Sequence, residues 1–351
     1  MTPVLPTLAE RLKALQAFPY TEREAAFLAM AALHGGYFLR RQYLNAIGTQ
    51  SGGNAVALID KLLALRHASV AVGCNNTKLY HLCARPFYAA LGEEDNRNRR
   101  ERPPFAIKNR LMGLDYVLGH SENTYLATER EKVDFFTGTL GIDRSLLPIK
   151  RFVSQQSKAI TDRYFVDKYP IFITPSADNG SPRASFCYVD EGVITGSRFG
   201  SYLRQYRSLF LALAKFNLIY VSSSDRLFQP AERDFRHCIA GLESTANGAM
   251  AEDQEVRMIE YFVARTRYES QQLDSFDRAR LIQLRDDRER FSGSRFEALY
   301  QTWKTGGEAT ILQNSRASQP KRTSIQATFS TYLFHHDYEF FGTPPRASNG
   351  A

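Results

Sequence analysis

The chain has 351 residues, 43% of them apolar, and a formal net charge of +8. Such a length and composition suit a globular protein of two or three domains. No stretch approaches the roughly 20 apolar residues of a membrane span; the longest apolar run, SLFLALAKFNLIYV, is broken by Lys215 and Asn217.

The opening residues lack the basic-then-apolar order of a signal peptide. The four cysteines, Cys74, Cys83, Cys187 and Cys238, show no CxxC pairing of a zinc site or disulfide framework. A cytoplasmic protein with no metal and no small-molecule cofactor is therefore expected. Residues 1–120 hold 15 Lys/Arg against 9 Asp/Glu, a net +6, which leaves +2 for the rest. Positive charge concentrated in one third of a chain is the footprint of a polyanionic partner.

TEREAAFLAMAALHGG (21–36) predicts a helix. Thr21 and Glu24 have capping-box spacing, Ala25, Phe27, Leu28, Ala31 and Leu33 recur at helical intervals, and Gly35–Gly36 ends it. YFLRRQYLNAIG predicts a second short helix with Phe38, Leu39, Tyr43, Leu44 and Ile47 inward. A third is expected to start near Ser51, with Val56, Ile59, Leu62, Leu63 and Leu65 inward. Two alternating runs around Gly73–Cys74–Asn75–Asn76 then read as a hairpin.

Three short helices followed by a hairpin is the order of a winged helix-turn-helix. There the third helix enters the major groove and the hairpin reaches the backbone. Double-stranded DNA is the expected partner. Ser51 and Asn54 stand at the helix start, where free N–H groups also face a phosphate. Arg40 and Arg41 would clamp a phosphate; Lys61, Arg66, His67 and Lys78 lie on the helix's far end and the hairpin. A module of this kind that binds protein instead is the alternative.

In GEEDNRNRRERPPFAIKNRLMGLDYVL, Glu93, Glu94 and Asp95 give way to Arg97, Arg99, Arg100 and Arg102, and Pro103–Pro104 opens a helix. Such a charge run is either a solvated linker or an additional, salt-dependent contact to the duplex. The helix, with Ile107, Leu111, Leu114 and Val117, reads as a dimer element or an interdomain brace.

From residue 121 the pattern changes to strand–helix–strand–helix, which implies a parallel βαβ unit. A helix from about Thr128 is stopped by Gly141; RYFVDKYPIFITP and RASFCYVDEG are strands, SRFGSYLRQYRSLFLALAKF a helix, NLIYVSSSD a buried strand and QPAERDFRHCIAGL a covering helix. The acidic pair Asp190–Glu191 ends a strand, where metal-dependent nucleases hold a divalent cation.

The run FVDKYPIFI, FCYVDEG, SYLRQYRSLF and LIYVSSSDRLFQPAERDF, following the helical module, resembles the replication-relaxation family of mobile-element proteins over roughly residues 20–240. That resemblance implies a winged helix joined to a domain of restriction-endonuclease-like, PD-(D/E)xK, fold. A nuclease of this fold needs two acids and a lysine that polarises the attacking water. Asp167 and then Asp190 or Glu191 supply acids, yet two residues after them stand Gly192 and Val193. Where family members carry a further acid this chain has Tyr188, and their helical lysine falls near Tyr202. Arg198 and Arg204 are poor substitutes for a tunable amine. The nuclease-like site reads as degenerate, with no catalytic residue assigned; Asp167, Asp190 and Glu191 would carry any residual activity.

His335, His336 and Asp337 are adjacent, and neighbours in a strand point to opposite faces, so no metal site is assigned. GSRFGS and GGEAT lack a P-loop lysine. Tyr202 and Tyr206 are read as core residues, with attack on a phosphodiester as the rival role. The last third predicts charge-laced helices over residues 252–290, a further helix bearing Trp303, a basic loop and a flexible tail.

The expected fold class is α+β or α/β. It comprises a winged-helix DNA-binding domain (1–92), a basic linker and brace helix (93–120), a restriction-endonuclease-like α/β domain (121–245) and a helical C-terminal region (246–351). The expected function is non-enzymatic DNA binding, as a transcriptional regulator or an accessory factor in conjugation or plasmid replication, by a homodimer. A metal-dependent nickase or relaxase and a protein-binding adaptor are the alternatives.

Overall fold

The computed structural model describes residues 6–153, 160–174, 182–192, 197–213, 215–246, 252–272, 276–291, 294–317, 325–336 and 338. They form a mixed α+β structure in two compact units, Met1–Phe235 with Gln326–Ala351, and Arg236–Ile325.

In the first unit, α1 (Leu8–Leu15) and α2 (Glu22–His34) each open with a capping box. In α2 the Thr21 backbone N–H donates to Glu24 Oε2 at 2.8 Å and the Glu24 N–H returns to Thr21 Oγ1. Then come β1 (Tyr37–Leu39), α3 (Arg40–Ala46), α4 (Gly52–Ala64), β2 (Ala68–Val72) and β3 (Lys78–Leu82). The strands form an antiparallel sheet of order β1-β3-β2.

Two local expectations are corrected here. Residues 37–39 are strand, not the start of a helix. Phe38 enters a core shared with α2, while Tyr37 and Leu39 enter a second core; only the alternation of a strand sends neighbours to opposite sides. In α4 the buried stripe is Ala55, Leu58 and Leu62, leaving Val56, Leu63 and Leu65 exposed. Periodicity alone does not separate two apolar stripes offset by one residue.

The turn between α2 and β1 requires glycine. Gly36 has φ +79°, and a Cβ there would lie 2.5 Å from the Asn98 carbonyl oxygen. Past α5 (Arg85–Ala90), α6 (Pro104–Gly119) begins at a proline. It is buried on more than one side. Leu114 joins the core of α2 and α4, whereas Ile107, Leu111, Met112 and Tyr116 join the core that includes Tyr37, Leu39, Phe172, Cys187 and Val189.

The remaining elements are β4 (Thr124–Tyr125), α7 (Glu129–Asp134), the antiparallel hairpin β5 (Ile149–Val153) and β6 (Ile160–Tyr164), β7 (Ile171–Thr174), β8 (Arg183–Asp190), α8 (Ser197–Leu213), β9 (Lys215–Ser222) and α9 (Phe228–Ala246). With the strand β10 (Gln326–Leu333), the main sheet has order β10-β9-β8-β7-β4. Across α8, β8 and β9 run parallel, while β7 is antiparallel to β8.

Its outer strand, β10 (Gln326–Leu333), corrects the expectation that residues 246–351 are helical. It pairs in parallel with β9 from Gln326↔Lys215 to Leu333↔Ser222, a partner about 110 residues away in sequence that local propensity does not reveal. In the second unit α10 (Glu252–Glu269), α11 (Arg278–Arg290) and α12 (Ser294–Ala317), kinked at Gly307, surround Met258, Tyr261, Phe262, Phe291 and Tyr300. No described helix is long and apolar enough to cross a membrane.

The reassigned face of α4 is directly measurable. Leu62→Ala should lower unfolding free energy by about 2–5 kcal/mol, whereas Val56→Ala should change it by less than about 0.5 kcal/mol. Urea denaturation of the two variants separates these outcomes; equal losses would restore the face expected from sequence.

Candidate nucleic-acid interface and acidic cluster

The structure scatters the eleven candidate DNA contacts into three groups. Arg40, Ser51, Asn54, Arg66, Lys78 and Arg100 are exposed. Arg40 Nη2 donates to the Gly52 carbonyl oxygen at 3.2 Å, which holds its guanidinium beside the start of α4. Ser51 caps α4 without a side-chain bond, so its hydroxyl is not used by the cap. Arg66 ends the helix with φ +55°.

A second group is neutralised. Arg41 makes a two-pronged bond to Asp115 (2.8 and 2.7 Å), whose Oδ2 also accepts from Tyr338 Oη at 2.6 Å. Lys61 Nζ reaches both oxygens of Glu24, at 3.0 and 2.8 Å. Each pair joins separate helices, so these two cations are partnered within the fold.

The third group is turned into the protein. His67 is buried; its Nδ1 pairs with Tyr20 Oη at 2.7 Å and its ring packs on Phe18, and burial lowers its pKa. This corrects its assignment to the DNA face. Arg99 donates to the carbonyl oxygens of Cys83 (3.2 Å) and Glu94 (2.6 Å), and Arg102 Nη2 to that of Arg97 (3.1 Å). Much of the basic linker is therefore folded onto its own backbone.

The acidic pair closing β8 is also occupied. Asp190 Oδ1 accepts from the Gly192 N–H at 3.1 Å and Oδ2 from Tyr220 Oη at 2.9 Å, with the carboxylate buried. Gly192, where a lysine was sought, has φ +75°, a backbone that favours glycine; Val193 lies outside the described residues. Glu191 pairs with Arg198 and accepts from Asn109 Nδ2 at 3.5 Å, while Asn109 also donates to the Val189 carbonyl oxygen at 2.8 Å. Both carboxylates tie the end of β8 to its neighbours.

Beside them lies a stack of buried tyrosines. The Tyr188 ring is 5.1 Å from Tyr169 and 5.2 Å from Tyr202, and Tyr202 is 4.2 Å from Tyr206. Tyr188 and Tyr202, the positions at which the resemblance places an acid and a lysine, are thus in ring contact. Asp167 Oδ2 is buried with no hydrogen-bond partner among the described residues, and burial raises its pKa, opposed by Lys132 and Lys150. Tyr202 Oη is likewise buried and unpartnered. Among the described residues, no group of three or more His, Cys, Asp or Glu is placed to hold a metal ion.

Sequence reading missed two amines here. Lys132 is buried, donates to the Tyr169 carbonyl oxygen at 3.1 Å, and is pushed down to about 7 by burial and then by Lys168. Lys168 falls to about 8 for the same leading reason. Burial and these two cations push His34 down to about 3. One signal was available: Lys132 stands four residues before the buried Phe136, hence on the inner side of a helical stripe.

A buried lysine with a depressed pKa makes stability rise with pH. Between about pH 7, where folded Lys132 loses its proton, and its ordinary value of 10.5, the unfolded chain binds the extra proton. Lys132→Met should therefore exceed wild type in stability near pH 6, and the gap should narrow steadily above pH 7. Lys168 keeps a smaller rise beginning near pH 8 in the variant. Denaturant midpoints against pH provide the check; parallel profiles would mean that Lys132 is solvated.

No family model, curated protein or solved structure matches this chain.

Proposed function

We propose that the protein is a non-enzymatic, DNA-binding homodimer whose residues 1–92 form a winged helix. Its nuclease-like α/β part then serves as scaffold. The setting suggested by the resemblance is a mobile element or its host, with a role in transcriptional control, conjugation or plasmid replication.

One observation carries this reading. Helix, strand, helix, helix and hairpin follow one another with sheet order β1-β3-β2, and the start of α4 is left open to solvent with Arg40 beside it. That is the arrangement in which a recognition helix and wing meet a duplex. Ser51 and Asn54 would face base edges, and Arg40, Arg66, Lys78 and Arg100 the phosphates. Non-enzymatic use of the sheet is supported by the partners of Asp190 and Glu191, which leave neither carboxylate free for a metal.

A second reading has its own support. The exposed side of α4 carries Val56, Ala57 and Leu63 beside the polar Asn54 and Asp60, and edge strand β2 exposes Val70 and Val72. Such a face suits an adaptor that binds protein. For the homodimer, the exposed Val256, Tyr268, Leu281 and Ile282 of the helical unit are the proposed contact, checked by sedimentation.

Duplex affinity against salt separates the two readings. The combined Arg40→Ala, Arg66→Ala and Lys78→Ala variant should weaken binding to all sequences and lower the log–log salt slope by about one per lost phosphate contact. Arg41→Ala should leave that slope unchanged and lower stability instead, because it strands the Asp115 carboxylate. Asn54→Ala should reduce discrimination between sites. If wild type shows no salt-dependent binding to duplex DNA, the adaptor reading replaces this one.

A further inference from the structure

A cavity of about 530 Å3 opens in the first unit between the acidic end of the linker, α7 and the turn that follows β6. It lies apart from α4 and the wing, and acids and bases in equal number make up most of its walls. Most of its acids are already engaged. Glu94 pairs with Arg85 at 3.5 Å and Asp134 with Arg130 at 3.8 Å. Glu129 accepts from the Tyr164 N–H at 2.9 Å and faces Arg163 at 3.8 Å. Glu93 accepts from Asn96 at 2.9 Å, and burial raises its pKa, which favours the neutral form.

Three cations on the same walls have no such partner among the described residues. The Arg97 guanidinium lies over the Phe152 ring at 4.9 Å, and that of Arg144 over Tyr164 at 4.9 Å, so aromatic faces hold them while their N–H edges stay unsatisfied by acids. Lys168 is the third. Its backbone is left-handed, φ +62°, three residues after Phe165 at φ +49°. Two such conformations in non-glycine residues are strained, and strain of this kind clusters where a side chain must be held in one place. Burial and then Arg110 and Arg97 lower the Lys168 pKa, opposed by Glu129 and Glu93, and burial with Arg163 and Arg100 lowers that of Arg97, opposed by Glu129. Like charges crowded in a recess are relieved by an anion.

We propose that this cavity binds a phosphate monoester of nucleotide size, its phosphoryl group seated against Lys168 with Arg97 and Arg144 on the walls. The volume is that of a small-ligand pocket, about 300–1,000 Å3. Arginine on an aromatic face with a free N–H edge suits a phosphate oxygen pair, and a lysine adds a point charge. The same group occurs on a free nucleotide and at the 5′ end of a nucleic acid.

Calorimetric titration of the full chain with inorganic phosphate, with adenosine monophosphate, and with one oligonucleotide bearing either a 5′-phosphate or a 5′-hydroxyl tests this. Wild type should bind the monophosphate, and Lys168→Gln should weaken it more than tenfold, with Lys168→Arg retaining most of the affinity. Arg144→Gln, on a more open wall, should also weaken it. A tighter complex with the 5′-phosphorylated oligonucleotide would identify a nucleic-acid end; equal affinity for both oligonucleotides would identify a free nucleotide. The Arg40, Arg66 and Lys78 variant should keep monophosphate binding, so loss of duplex binding and loss of this site are separable. Absence of binding by phosphate and monophosphate together with indifference to the 5′-phosphate, or wild-type affinity in a folded Lys168→Gln, overturns the proposal.

Discussion

Helix α6 is the element on which the first unit depends. A surface helix buries one stripe and solvates the rest; this one contributes Leu114 to the core of the helical module and Leu111, Met112 and Tyr116 to the core against the sheet. Its polar residues are committed as well. Asp115 holds Arg41 and Tyr338, Arg110 donates to the Gly35 carbonyl oxygen and Asn98, and Asn109 caps the end of β8. The helical module and the sheet therefore share one helix.

That sharing decides which charges remain for a partner. A basic first third was the strongest compositional sign of a polyanion partner, yet Arg41 and Lys61 complete ion pairs between helices, and Arg99 and Arg102 satisfy backbone carbonyls. Removing either cation would leave the facing carboxylate, Asp115 or Glu24, without its ion-pair partner. Of the candidate cations, Arg40, Arg66, Lys78 and Arg100 remain exposed. Net charge counts these partnered cations with the exposed ones, and the location of each charge is the better guide.

The same logic recasts the acids of the α/β part. Carboxylates poised for a metal would keep lone pairs directed at an open position. Those of Asp190 and Glu191 accept from Tyr220, Gly192, Arg198 and Asn109. Around them aromatic rings fill the space, with Tyr169, Tyr188, Tyr202 and Tyr206 in successive contact. Asp167 Oδ2 and Tyr202 Oη are buried without a hydrogen-bond partner among the described residues.

Much of the local structure was written in the sequence. Thr21 with Glu24, Ser51, Thr128 and Pro104 mark helix starts, and alternation around Gly73–Asn76 marks the hairpin, because capping and turn chemistry act over three or four residues. The parallel pair across α8 followed from the strand–helix–strand pattern. Tertiary structure alone decided which stripe of α4 is buried, that residues 37–39 serve two cores, and that β10 completes the sheet. It also neutralised Arg41, enclosed His67, and gathered Lys132, Lys168 and Asp167 into one region. Each of these depends on a partner far along the chain, and the energy of burying or pairing a group is set by neighbours that a linear pattern does not name.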